Sequence, residues 1–375
     1  MIIRIKKEKI GFGIIVFYIF WTMLLIGKGV GMTSADRPMR ILTWIGITFL
    51  ALKMIIEKWS RKELLVSIAL LMLGLLVYLY SHDAAILLTA IVICGVKSIS
   101  LHEFFKYSFW IKLILFVLYT SLAIYGVIDS ESIVRYDSGS IHTIRYALGY
   151  GHPNATHYTL FSIYVLFFLS YSINKIWLFL LLELYNLYIF GYTDSRTGFI
   201  MTSFLILLIY IYRNKYLEGF LMRVSRVFSY IYIIFALISL LIPWLIRYLL
   251  GLKKYGTMYS RFATGVRVIQ NSDLRLFGQP NIKTDFGYIY IGYAYGVVVF
   301  VLFVIVNTFL MRLFISNNLT TEFGVLLSYS IYTLMESYSA SVLMNISLIL
   351  IALLIFESTR QLYIYGARLD DDNTC

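Results

Sequence analysis

Residues 63–96 read ELLVSIALLMLGLLVYLYSHDAAILLTAIVICGV, two apolar runs separated only by the polar turn His82-Asp83. Each run approaches the ~20 apolar residues that a helix needs to cross the hydrocarbon core of a bilayer. Similar runs recur along the whole chain of 375 residues. The sequence therefore predicts an all-α polytopic membrane protein whose helices are mostly joined by short turns.

Composition supports the membrane class. Hydrophobic residues make up 60% of the chain and charged residues only 14%, with a mean hydropathy of +0.80; a soluble domain carries about a quarter charged residues. A net charge of +12 would favour nucleic acid in a soluble protein. In a membrane protein it favours anionic lipid headgroups and an anionic substrate. The two cysteines, Cys94 and Cys375, provide no disulfide framework.

The apolar runs predict about 12 transmembrane helices in a single domain, residues 1–375. Their approximate ranges are 10–27, 39–56, 63–80, 84–101, 105–126, 153–172, 176–193, 197–212, 227–246, 288–311, 323–337 and 341–356. The basic N-terminal segment predicts that the N-terminus is cytoplasmic, and an even number of spans then places the C-terminus there too. In this topology 17 lysines and arginines fall inside and only four in short outside loops. Two long loops, about 127–152 and 247–287, face outward.

The first long loop ends in RYALGYGHPN, residues 145–154. Pro153 suits the first turn of a helix, and Gly149 and Gly151 permit turns that other residues avoid. His152 and Asn154 are then expected at a helix N-terminus, which favours anions through its free amides and its dipole. A histidine there can also exchange a proton near neutral pH. An ordinary loop-to-helix entry remains the alternative.

Two further segments place cations on the predicted outer face. The short turn DSRTG, residues 194–198, carries Arg196, which is either a ligand for phosphate or a side chain that extends to the membrane surface beside a helix cap. The second long loop carries seven cations, among them Arg261 and Arg267. Its residues 257–270 have apolar side chains at near-helical spacing, which predicts an amphipathic helix on the membrane surface. These apolar residues are Met258, Phe262, Val266 and Ile269.

Polar residues inside the predicted spans are costly in hydrocarbon and are therefore functional candidates. Glu183 and Glu336 are the acidic members, and Glu183 is expected to pair within the bundle. Lys53 and Lys112 are expected to extend towards the inner span ends. The five histidines show no metal-ligand spacing, and no phosphate-binding glycine loop or dinucleotide fingerprint is present. We expect neither a metal nor a cofactor.

These motifs resemble the Wzy-type polysaccharide polymerases, which are related to the O-antigen ligases. The matching residues are Arg145-x-x-x-Gly149 with His152-Pro153-Asn154, then Ser195-Arg196-Thr197-Gly198. Further along the chain, Arg261 and Arg267, Leu276-Phe-Gly278 and Asp285-x-x-Tyr288 follow in the order of the family. The resemblance covers most of the chain by architecture and about thirty residues by motif. It implies a GT-C-like fold in the inner (cytoplasmic) membrane with an extracytoplasmic active site.

The resemblance also implies a reaction. Undecaprenyl pyrophosphate-linked oligosaccharides, the partners of the protein, are joined at the outer face without a metal or nucleotide sugar; a flippase and a chain-length regulator are further expected partners. The implied catalytic residues are His152, as base or acceptor-orienting group, Arg145 and Arg261. The implied substrate-binding residues are Arg135, Asn154, Arg196, Arg267, Asp285 and Tyr288.

Three alternatives stay open. A secondary transporter of the major facilitator type also has twelve spans, but it is expected to show two related halves and a substantial central linker. A lipid-linked oligosaccharide flippase handles the same substrate and is expected to place cations along a central cavity. An O-antigen-type ligase shares the motifs and uses a different acceptor.

Overall fold

The computed structural model of the chain describes residues 11–32, 36–137, 140–214, 225, 227–250 and 257–372; at 135–137, 140–142, 242–250, 257–262 and 365–372 it describes the backbone alone. The structure is mostly helical (76%). The strands β1 (Ser132–Asp137) and β2 (Ser140–Tyr146) form an antiparallel hairpin in the first long loop. The predicted loop 127–152 is therefore partly a β-hairpin, because β1 and β2 satisfy their backbone groups by pairing with each other.

The described helices are, in chain order, α1 (Phe12–Gly29), α2 (Arg37–Ile56), α3 (Arg61–Ser81), α4 (Ala85–Gly95), α5 (Leu101–Ile124), α6 (Pro153–Ser170), α7 (Ile176–Thr193), α8 (Arg196–Tyr212), α9 (Ile231–Leu250), α10 (Thr257–Asn271), α11 (Gly287–Tyr290), α12 (Val297–Ser316), α13 (Thr320–Met335), α14 (Ala352–Ile355) and α15 (Glu357–Asp372). A π-helical turn, Ile291–Tyr295, continues α11. The 3₁₀ turns Ser337–Ala340 and Ile346–Ile351 connect α13 to α14.

Six of the described helices are long and apolar enough to cross a membrane: α1, α2, α3, α5, α7 and α12. A seventh span results if two helical segments are taken as one bent element. These segments are Ile346–Ile355 and Glu357–Ile364, and the bend between them is 113°. The prediction of a mainly helical, multi-pass membrane protein is thus confirmed. The count of twelve spans is not, since α4 and α8 are shorter and other predicted spans are broken.

The predicted span 84–101 ends early, at Gly95. The Nζ atom of Lys53 donates hydrogen bonds to the carbonyl oxygens of Gly95 (2.6 Å) and Lys97 (3.0 Å). Ser98 has a positive φ of 60°, which turns the chain towards α5. Lys53, which is buried, therefore satisfies the last carbonyl group of α4 and one in the turn that follows it.

The predicted span 288–311 is interrupted at Gly296, where φ is +94°. A Cβ atom at this position would overlap the carbonyl of Leu276, which approaches the break from the second long loop. The amide of Val297 donates to the carbonyl oxygen of Arg275 at 3.0 Å. Gly278, with φ +84°, similarly makes room for the carbonyl of Ala294. The Leu276-Phe-Gly278 segment thus covers the start of α12.

The last predicted span, 341–356, contains non-helical backbone that lies inside the protein. Side chains satisfy this backbone: Lys112 Nζ donates to the Leu343 carbonyl at 2.8 Å, and the Tyr329 hydroxyl to that of Met344 at 3.1 Å. Asn345 Nδ2 donates to the Ser339 carbonyl at 2.9 Å. Irregular backbone at membrane depth is tolerated only where protein or a cavity surrounds it. Lys112 therefore points into the bundle and does not extend to a span end.

Helix α6 lies at the centre of the bundle. Of its 18 residues 15 are buried, including Thr156, His157 and Ser162. It packs against α5, α7, α8 and α13. A helix that is surrounded on all sides presents polar groups only to its neighbours, so each one needs a partner. The polar residues at the start of α6 lie in a region where several helix ends meet. We call this region the Arg145 end of the bundle.

Candidate functional site

The start of α6 is built by local geometry. Pro153 occupies its first turn, and the Nδ1 atom of His152 accepts a hydrogen bond from the amide of Asn154 at 3.1 Å. Leu148 and Gly149 have φ angles of 48° and 85°, and a side chain at Gly149 would meet the Tyr119 ring at 2.7 Å. The predicted helix entry at Pro153 is confirmed, with His152 as its N-cap.

Tyr150 anchors the loop that leads into this helix. Its ring is buried and lies 5.9 Å from that of Phe116 and 5.7 Å from that of Tyr119. Burial raises the pKa of the Tyr150 hydroxyl above its usual value, since a phenolate would be poorly solvated there. Tyr150 therefore holds the loop in place and keeps its proton.

Asn154 connects three segments that are far apart in sequence. Its Oδ1 atom accepts from Arg145 Nη2 at 2.8 Å and from the Ser195 hydroxyl at 3.1 Å. Its Nδ2 atom donates to Glu336 Oε1 at 3.0 Å. We call Arg145, Asn154, Thr193, Ser195 and Glu336 the Arg145 network. Thr193 belongs to it because its carbonyl oxygen accepts from Arg145 Nε at 3.0 Å.

Arg145 is thus held at two points of a rigid frame. Its Nε–H satisfies a carbonyl in the last turn of α7, a position where a cation also complements the helix dipole. Its Nη2–H meets the amide oxygen at the start of α6. A lysine would have to serve both acceptors from one nitrogen, without the planar fork that presents Nε–H and Nη2–H in two fixed directions. The end of α7 and the start of α6 therefore fix the position of the Arg145 guanidinium.

Glu336 is the acidic member of the network and, like Thr193, lies outside the sequence motifs. It directly follows α13, and it is only 3% exposed. A buried carboxylate is costly unless it accepts hydrogen bonds, and the Asn154 amide provides one. The signal for it in the sequence was an acidic residue near the end of an apolar run, which marked it as a functional candidate without giving a partner.

The turn 194–198 contributes in two ways. Gly198 lets α8 approach α6, because a Cβ atom there would lie 2.5 Å from that of His157. Asp194, at φ 39°, pairs with Arg196 at 3.6 Å. The Arg196 side chain is 59% exposed, so the pair contributes little to stability. Arg196 therefore extends from the Arg145 end of the bundle towards the surroundings.

The second long loop reaches the network through its backbone. A Cβ atom at Gly287 would lie 2.6 Å from the carbonyl oxygen of Glu336, so α11 begins directly against that residue. One step further out, α10 packs on α11. Gly265 of α10 faces the ring of Phe286, and the side chain of Ile289 lies nearby. The predicted helix 257–270 is confirmed as Thr257–Asn271, although its packed face centres on Gly265 and Val268.

The remaining predicted site residues occupy different environments. Arg267 and Asp285 are exposed. Tyr288 is buried, and its hydroxyl donates to the Ser330 carbonyl at 3.3 Å, which gives it a packing role in this structure. Arg135 lies on β1 and Arg261 on α10, but their side chains lie outside the described residues. Their assignment to substrate stays a prediction.

A largely buried series of hydrogen-bonded polar side chains extends from the network into the bundle. His157 pairs with the Thr193 hydroxyl through Nδ1 (3.0 Å) and with Asn186 Oδ1 through Nε2 (2.8 Å). Asn186 Nδ2 donates to the Ser203 hydroxyl at 3.0 Å, which donates to Glu183 Oε1 at 2.6 Å. The predicted pairing of Glu183 within the bundle is observed. Sequence reasoning missed Asn186 and Ser203, since isolated polar residues in apolar runs reveal no partner.

Comparison with known proteins gives no match: no family model, no curated protein and no solved structure resembles this chain. Within the described residues, no group of three or more His, Cys, Asp or Glu is placed to hold a metal ion. The chemistry of the site must therefore be argued from its own side chains.

Proposed function

We propose that the chain is a polysaccharide polymerase that joins undecaprenyl pyrophosphate-linked repeat units at the outer face of a bacterial cytoplasmic membrane. The observation that carries this proposal is the Arg145 network. It brings together the Arg145–Asn154 segment and the 194–198 turn, and it adjoins the start of α11. These are the segments in which the resemblance to Wzy-type polymerases lies.

The charges fit a pyrophosphate leaving group. Arginine binds phosphate oxygens through a planar fork, and Arg145 is oriented by Thr193 and Asn154. Arg196 and Arg267 are exposed cations of the neighbouring segments. In the proposed reaction they offset the negative charge that develops as the sugar–pyrophosphate bond breaks. The acceptor hydroxyl forms a bond to the anomeric carbon as the bond to undecaprenyl pyrophosphate breaks. The lipid pyrophosphate leaves with the bonding electrons, and the hydroxyl proton passes to it.

His152 is better suited to orient the acceptor than to remove its proton. Because Nδ1 accepts from the Asn154 amide, the neutral ring carries its hydrogen on Nε2. This nitrogen then donates a hydrogen bond, whereas a base needs a free lone pair. Of the two roles that the motif leaves open for His152, the geometry favours acceptor orientation.

The test is purified protein incubated with lipid-linked repeat units and no other enzyme. We expect a ladder of longer products from the native chain. We expect only single units from Arg145→Ala and from Arg145→Lys, because lysine keeps the charge but lacks the planar fork that binds two phosphate oxygens at once. Lys62→Ala, which removes an exposed cation at the start of α3, is the matched control and should retain the ladder. A normal ladder from both Arg145 variants would refute the assignment.

A lipid-linked oligosaccharide flippase or other secondary transporter is the second candidate. The breaks at Gly296 and at residues 336–346 favour it, since transporters form substrate sites from discontinuous helices. The same purified protein in liposomes distinguishes the two functions. Transfer of unchanged single units between leaflets, without chain growth, would support transport. Growth only onto a foreign lipid acceptor would support a ligase.

A further inference from the structure

The β-hairpin has two chemically different faces. In its antiparallel register Val134 lies opposite Ile144, and Ile133 opposite Arg145. Because side chains alternate along a strand, Thr143 and Arg145 share one face of β2. That face contacts the end of α7, where the Thr143 hydroxyl approaches Asp194 Oδ2 at 3.4 Å and Arg145 reaches Thr193.

The opposite face of the hairpin carries three exposed apolar side chains, next to Ser132. Val134, Ile144 and Tyr146 are 37%, 48% and 41% exposed. They alternate with the residues that face α7, and each belongs to the residue types that strands favour. Single exposed apolar residues are ordinary. Three on one face of a two-stranded hairpin form a contiguous patch that water solvates poorly.

The hairpin follows a candidate membrane-spanning helix that has an exposed apolar stripe. Helix α5 exposes an apolar stripe that includes Trp110, Ile114 and Leu118, at the spacing of one helix face. Tyr125, just beyond the end of α5, prolongs the stripe and is 83% exposed. Seven residues later the chain enters β1. An exposed tyrosine at the end of a lipid-facing stripe is typical of the membrane–water boundary.

We propose that the Val134–Ile144–Tyr146 face of the hairpin lies in the interfacial layer of the bilayer, in contact with lipid. The hairpin is then an amphipathic membrane contact with the lipid surface on one face and α7 on the other. Arg145, one residue from Ile144 and Tyr146, is held at the depth of lipid phosphate groups. This contact rests on the membrane-spanning fold alone, so it holds whether or not the chain transfers glycans.

Nitroxide spin labels on single cysteines test this contact in liposomes. The background is Cys375→Ser, with native Cys94 fully buried. Labels at Val134→Cys, Ile144→Cys and Tyr146→Cys are compared with Glu131→Cys, which is exposed near the same strand. We expect the ratio of collisions with oxygen to collisions with a water-soluble nickel complex to be several-fold higher at the three apolar positions than at residue 131.

Unsubstituted protein provides a second measurement. Lipids with a photoreactive group near the headgroup boundary should crosslink to the peptide that contains Ile144 and Tyr146. High nickel accessibility at all four labels, together with no lipid crosslink, would overturn the proposal. Spin–spin broadening confined to the three apolar positions would also overturn it, because the face would then contact a second copy of the chain.

Discussion

Asn154 is the residue through which the Arg145 network holds together. Its single amide accepts from Arg145 and Ser195 and donates to Glu336. No other side-chain type of this size combines two acceptor positions with two donors. The amide therefore lies between a cation and a buried carboxylate, and it fixes the distance between them.

Asn154→Asp tests this arrangement because it changes one group and keeps the shape. The new carboxylate still accepts from Arg145 and Ser195, but it faces the Glu336 carboxylate without a hydrogen between them. We expect the free energy of unfolding in detergent to fall by about 1–3 kcal/mol.

Adding Glu336→Gln to this variant supplies the missing donor. The double variant should recover part of the loss, with a coupling energy of about 0.5–3 kcal/mol. Glu336→Gln alone, in which two amides meet, is the third corner of the cycle. Strict additivity of the two single changes would show that Asn154 and Glu336 do not interact.

His152 combines a structural role with the functional one proposed for it, and two substitutions separate them. His152→Ala removes the N-cap and should cost about 1 kcal/mol of stability. His152→Asn restores a preferred N-cap side chain and should keep the unfolding temperature near that of the native chain. We expect polymer synthesis to be lost in both variants. Full activity in His152→Asn would mean that the ring serves only as a cap.

At the scale of elements, the crossing of α6 and α8 positions the site. Gly198 lies against His157 with no space for a methyl group, whereas a Cβ atom at Gly191 of α7 would meet nothing within 4 Å. The Ser-Arg-Thr-Gly motif therefore contains a packing requirement, in addition to the exposed Arg196.

Gly198→Ala should push α8 away from α6 and destabilise the protein by about 1–3 kcal/mol. Gly191→Ala is the matched control, and it should be neutral or stabilise by up to about 1 kcal/mol through helix propensity. The comparison requires only thermal unfolding of both variants. Equal stability of the two would show that the α6–α8 contact tolerates a methyl group.

At the scale of the whole molecule, the proposed function requires the Arg145 end to face outward. Cysteines at Glu131 and Lys283 should react with a membrane-impermeant maleimide in intact cells, in a Cys375→Ser background. Cysteines at Lys62 and Lys175, both exposed in the structure, should react only after permeabilisation. The reverse pattern would place the network on the cytoplasmic side and exclude an outer-face polymerase.

The membrane class, the positions of most helices and the residues at the helix entry follow from local sequence, because apolar runs, Pro153 and the capping residues act over a few neighbouring positions. The breaks at Gly296 and at 336–346 were not foreseen, since they depend on carbonyl and side-chain partners supplied by distant segments.

The same limit applies to the site. The motifs contain Arg145, Asn154 and Ser195, but Glu336, which accepts a hydrogen bond from Asn154, follows that residue by 182 positions. The buried chain from His157 to Glu183 likewise joins three helices. These pairings depend on how the helices pack, because a buried polar group takes whichever partner packing brings within hydrogen-bond distance.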